Sequence, residues 1–159
     1  MPTNLLRKTV AKPAEVKPAP TGPRLAVLSV GKVSIRLRLF DTPTAARVWA
    51  ALPLYSAIEP WGESIHFEVP IETGRERGAR LQAVPGEVFF WIGEDRVLIP
   101  YGRTPISRPG EIRLPHPCNL WAEALDDVGL LKAARPGEKV ELKRIGQSEG
   151  PVKGKRRWR

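Results

Sequence analysis

From Lys32 to Phe40 the chain alternates: Val33, Ile35, Leu37 and Leu39 are apolar, and Lys32, Ser34, Arg36 and Arg38 between them are polar. A period of two marks a strand with one buried face and one solvated face, here a basic one. Arg24–Val30 is an apolar run just upstream, and Val30-Gly31 between the two predicts a tight hairpin. The pattern is different at Val88–Ile92 and Val97–Tyr101, which are apolar throughout and separated by Gly93-Glu94-Asp95. Short apolar runs rich in aromatic and β-branched residues read as buried strands. Both faces of this hairpin are apolar, so it should have protein on each side.

A helical period occurs once. After Asp41-Thr42-Pro43, the residues Ala45, Val48, Trp49 and Leu52 fall on one face. Asp41 or Thr42 can cap this helix, Pro43 suits its first turn, and Pro53 ends it. Short strands are expected at Ser56–Glu59 and Ser64–Val69, around Pro60-Trp61-Gly62. The charged stretch from Thr73 to Val84 reads as a surface connection, and Thr104 to Pro117 as a loop punctuated by prolines. Asn119–Leu125 is a further strand. Asp126 or Asp127 can cap a helical turn at Leu130–Ala134, and Lys139–Ile145 is the last strand. About seven or eight short strands with one main helix close most naturally into a barrel or a sandwich.

The 159 residues suit one domain, and 42% hydrophobic residues suffice for a core. Seventeen prolines and fourteen glycines favour a β-rich chain with many turns. Charge redraws the boundaries. The net charge is +9, yet residues 1–24 hold five basic residues to one acidic, and residues 146–159 do the same. The middle of the chain is therefore nearly neutral. We expect a disordered Pro/Ala/Lys-rich extension over 1–23, a folded domain over 24–145 and a disordered basic tail over 146–159.

No apolar run approaches the roughly 20 residues of a membrane-spanning helix. The first residues lack the apolar segment of a secretory signal, so a cytoplasmic protein is expected. Cys118 is the single cysteine and excludes an internal disulfide. His116-x-Cys118 is a weak metal signal, because zinc needs three or four ligands, and no metal or other cofactor is expected. Neither a Gly-x-Ser-x-Gly elbow nor a phosphate-binding glycine loop is present.

Three elements carry a resemblance. Trp61-Gly62-Glu63-Ser64-Ile65-His66-Phe67, Trp91, and Tyr101-Gly102-Arg103-Thr104-Pro105-Ile106-Ser107, followed by Asn119, resemble the single-domain cyclophilin-like proteins of bacteria and archaea. The resemblance covers roughly residues 24–145. It departs where relatives often have Pro-Pro-Gly after the tryptophan and this chain has Ile92-Gly93-Glu94, and at Pro100. It implies a mainly β fold, a closed cyclophilin-like β-barrel with one main capping helix and short helical turns.

The resemblance also raises peptidyl-prolyl isomerisation. That reaction must overcome an amide barrier on the order of 20 kcal/mol and calls for an apolar seat for the proline ring and a donor to its nitrogen. The Phe-His-Arg and Gly-Ser-Gln-Phe-Phe segments of true cyclophilins are missing, leaving Arg103 and Arg96 as candidate donors, with Arg108 a third. The bland alternative is a barrel-mouth pocket that binds a small molecule or peptide without catalysis. Trp61, Trp91 and Tyr101 would form its wall, and Glu63, His66, Arg103, Thr104, Ser107 and Asn119 its polar groups. Core packing for the aromatics, and local turn bonding for Thr104 and Ser107, stand as simpler readings. A third alternative is association with nucleic acid through the basic tails, where Lys155-Arg156-Arg157-Trp158 joins cations to an aromatic.

Overall fold

The computed structural model describes residues 23–145. The expected extension before them and the basic tail from 146 onward lie outside the described residues. Ten strands, one α-helix and one 3-10 helix follow in order. They are β1 Leu25–Val30, β2 Val33–Leu39, α1 Pro43–Ala51, β3 Leu54–Ala57, β4 Glu59–Pro60, β5 Ser64–Glu68, β6 Arg80–Ala83, β7 Glu87–Trp91, β8 Arg96–Pro100, β9 Ile112–Ala124, the 3-10 helix Val128–Ala133 and β10 Lys139–Arg144.

All pairings are antiparallel, and the sheet runs β3-β10-β1-β2-β9-β7-β8-β5-β4. Its two end strands, β3 and β4, are neighbours in sequence and separated only by Ile58. That residue is wholly buried, and its backbone is bonded to Glu138 and Gly137. The sheet thereby curls until its ends meet, a nearly closed barrel that leaves little free edge. Alternation decides what fills it. Ile35, Leu37 and Leu39 of β2 point inward with Ile65 and Phe67 of β5, Val88 and Phe90 of β7, and Trp121. Each fully buried Phe contributes about 1.5–3 kcal/mol relative to an exposed one.

Helix α1 plugs one end. Thr42 caps it by accepting from Ala45 N at 3.1 Å, Pro43 occupies its first turn, and Ala45, Val48 and Trp49 enter the core. Arg144 lies over the Trp49 ring at 4.4 Å and donates to the Trp49 carbonyl at 2.7 Å, tying the helix end to β10.

The doubly apolar hairpin has protein on each side. Val88 and Phe90 face the barrel interior. Phe89 and Leu98 face outward into a second cluster with Ala83, Ile112, Leu114 and Cys118. Two departures from the sequence reading build this second layer. The charged connection contains β6, which pairs with β9. The proline loop ends early, since β9 begins at Ile112 and not at Asn119. Pro115 and Pro117 are tolerated because the ladder jumps from Arg113–Gln82 to Cys118–Arg80, so the residues between need donate no ladder bond.

Candidate functional site

The two stretches that carry the family-like motifs meet. Glu63 closes the junction from both backbone and side chain. Its N–H donates to the Arg103 carbonyl at 2.7 Å, its carbonyl accepts from Tyr101 N and Gly102 N, and its Oε1 accepts from Arg103 N at 2.8 Å. Gly62 is in the left-handed region at φ 61, and a Cβ there would stand 2.6 Å from Pro105 Cδ. Trp61-Gly62-Glu63 thus caps the Gly102–Pro105 loop at van der Waals contact.

The hydroxyls expected to face a ligand are engaged by the loop's own backbone and by Arg113 of β9. Thr104, almost fully buried, donates to the Arg113 carbonyl at 2.6 Å. Ser107 Oγ accepts from Thr104 N at 3.0 Å and from Arg113 N at 2.9 Å. Arg103 reaches the Ser107 carbonyl at 3.4 Å, and its guanidinium is otherwise in solvent. Tyr101 is half-buried against the main core, and burial, then the Glu63 charge, raises its phenol above the ordinary range.

A different set of rings forms an open surface on the outer face. Trp91, at the end of β7, is the hub. Its ring centroid lies 6.3 Å from Trp61, 5.6 Å from His66 and 6.3 Å from His116. These spacings fall in the range of offset and edge-on aromatic pairs. His66 points outward because Ile65 and Phe67, its neighbours on β5, point in. Arg96 borders the rings. Its Nη1 lies 3.2 Å from His66 Nδ1 and 3.6 Å from Glu59 Oε2. A guanidinium can only donate, so Nδ1 accepts and His66 is neutral there. Burial, then the Arg96 charge, lowers the His66 pKa, and Glu59 and Glu94 oppose that in part. Trp91 Nε1 donates to His116 Nδ1 at 3.3 Å, fixing that tautomer as well.

Asn119 belongs to neither group. It is fully buried and faces the helix end of the barrel. Its Nδ2 donates to Thr44 Oγ1 and to the Gly74 carbonyl, both at 2.9 Å, and its Oδ1 accepts from Glu76 N at 2.9 Å. The single set of polar groups expected at the mouth is therefore three sets. Glu63, Arg103, Thr104 and Ser107 form a loop clasp. Trp61, His66 and Trp91 join an aromatic surface, with Arg96 at its border. Asn119 anchors a distant loop.

His116, which the sequence raised only as half of a weak metal pair, and Glu59, which it did not raise, are members of the aromatic surface. His116 sits in the β9 irregularity that brings it to Trp91, and no local pattern encodes that. His116 and Cys118 share no third ligand; no group of three His, Cys, Asp or Glu side chains suited to a metal occurs among the described residues. Burial pushes the Cys118 thiol up to about 12, so it stays protonated and unreactive. No helix among the described residues is long and apolar enough to cross a membrane.

A family model described as cyclophilin-like matches residues 24–143. No curated protein matches the chain. Among solved structures, the chain is similar to the solution structure of the hypothetical protein AF2241 from Archaeoglobus fulgidus. The identity is 24% and the TM-score 0.67, over 77% of this chain and 95% of that one. It is also similar to the structure of McbB in complex with tryptophan, with 15% identity and a TM-score of 0.58, over 80% of this chain and 47% of McbB. The chain thus spans about half of McbB, and both likenesses are likenesses of fold.

Proposed function

The chain belongs to the cyclophilin-like family, and from that premise we propose that it binds a peptide or small molecule on the outer aromatic surface centred on Trp91. One observation carries this reading: four partly exposed rings, Trp61, His66, Trp91 and His116, converge beside the Arg96 guanidinium. Exposed tryptophans grouped with an arginine are the residue types that dominate binding energy at recognition surfaces. A planar or cyclic apolar group can lie against the indoles while Arg96 donates to a carbonyl. McbB was solved with tryptophan; for this chain the support is the ring cluster itself.

Short Xaa-Pro peptides and free indole are the first probes. Trp61→Ala should weaken binding about tenfold, as truncating an anchor aromatic does, and Arg103→Ala should leave it unchanged. Equal affinity in wild type and Trp61→Ala would overturn the reading. A second reading, prolyl isomerisation, is favoured by one placement: of the three candidate donors, Arg96 adjoins the aromatic surface, while Arg103 lies in the clasp and Arg108 beyond it. If the protein accelerates Xaa-Pro isomerisation, Arg96→Ala should abolish the effect and Arg103→Ala should retain it. Inactivity on several such peptides leaves simple binding.

A further inference from the structure

Five arginines of the barrel stand beside a carboxylate: Arg36 with Asp126, Arg38 with Glu123, Arg80 with Glu87, Arg96 with Glu59 and Arg113 with Glu111. Arg47 of α1, and Arg75 and Arg77 of the loop between β5 and β6, make no ion pair among the described residues. All three line one hollow of about 540 Å³, shared with Gly74, Glu76 and Gly78. The two glycines add no side chain, and nothing stands within 4 Å of where a Cβ would be. Glu72 borders the adjoining hollow with Arg47 and pairs with none of the three.

Three like charges around one concavity repel one another, so the loop that gathers them must be held from beneath. Asn119 and Glu76 hold it. Asn119 fixes Gly74 and Glu76 by their backbones. Glu76, the acid between Arg75 and Arg77, also lines the hollow, and its carboxylate is engaged by α1. Its Oε2 accepts from Thr44 N at 2.8 Å and from the Thr44 hydroxyl at 2.5 Å. The carboxylate that could neutralise the arginines is thus committed to the first turn of α1, where the helix dipole also favours it. The helix terminus is already occupied, and the three arginines that line the hollow are left without a carboxylate partner among the described residues.

We propose that the hollow bounded by Arg47, Arg75 and Arg77 is an anion site for a compact phosphate-bearing ligand. Guanidinium forks match the several oxygens of a phosphate or diphosphate group, and charge-assisted bonds of this kind are strong. The volume lies within the range of small-ligand sites. This site is separate from the aromatic surface and does not depend on its role.

The test is calorimetric titration of the full chain with inorganic pyrophosphate. The basic tail is a competing source of binding, so two variants are compared with wild type. One combines Arg47→Ala, Arg75→Ala and Arg77→Ala; the other combines Lys155→Ala, Arg156→Ala and Arg157→Ala. Both replace charged side chains that carry no ion pair within the described fold or lie outside it, and thermal melts check that each stays folded. Saturable binding that falls about tenfold or more in the first variant and persists in the second supports the site. Loss in the tail variant with retention in the first would overturn it. So would the absence of saturable binding to wild type, including the case in which only an oligonucleotide binds.

Discussion

Glu63 and Glu76 lie in different regions of the barrel and act alike: each carboxylate accepts from a backbone N–H far along the chain, Arg103 for one and Thr44 for the other. Asn119 does more than either, since its amide satisfies three partners from α1 and the loop between β5 and β6. Asn119→Ala leaves a part-buried N–H and carbonyl and the buried Thr44 hydroxyl short of a partner, and such losses cost about 1–3 kcal/mol each where water cannot replace the bond. We expect a fall of roughly 3 kcal/mol or more in urea unfolding, against under about 1 kcal/mol for Arg103→Ala, whose long contact lies at the surface. His66 adds a pH dependence. Its folded pKa lies below its unfolded one, so below about 6.5 the unfolded chain binds the proton more readily. Stability should therefore be full above that pH and fall as pH drops through the folded pKa. Urea midpoints at about pH 7.5 and about pH 5.5 should differ in wild type and differ less in His66→Gln.

Among the elements, those with a strong period could be read in advance. Strand β2 showed its alternation, α1 its cap and apolar face, and the β7–β8 hairpin its two apolar sides. Strand β6 could not be read, because Arg80, Leu81 and Gln82 are exposed and only Ala83 is buried; a strand that covers a surface patch has no buried face to write into its sequence. The early start of β9 was hidden by Pro115 and Pro117, which read as breakers until the ladder irregularity accommodates them. At this scale the loop clasp makes a sharp prediction. Gly62→Ala must adopt φ 61 with its new methyl 2.6 Å from Pro105 Cδ and 2.9 Å from the Arg103 carbonyl. Strain of this kind costs about 1–3 kcal/mol. Thermal unfolding should show the loss, and the Trp61 fluorescence environment should change with it.

For the whole molecule, strand count and turn residues left a barrel or a sandwich, and the Trp61–Phe67 and Tyr101–Ser107 motifs, through the resemblance they carry, selected the barrel. The candidate site was legible only in part. Trp61, His66 and Trp91 were named from sequence, but their partner His116 depends on the β9 irregularity, and the hydroxyls of Thr104 and Ser107 turned out to be bonded to the backbone of Arg113 at the start of β9. What distinguishes the outer surface from the interior is access. Trp121 is fully buried in the main core, and Trp49 nearly so, while Trp61 and Trp91 are partly open to solvent.

That contrast gives the most direct test of the account. Indole N–H resonances of the full chain can be followed by NMR as a short Xaa-Pro peptide is added. Binding at the outer surface should shift the Trp61 and Trp91 signals and leave those of Trp49 and Trp121 in place. Shifts confined to Trp49 or Trp121, with Trp61 and Trp91 unmoved at saturation, would contradict it.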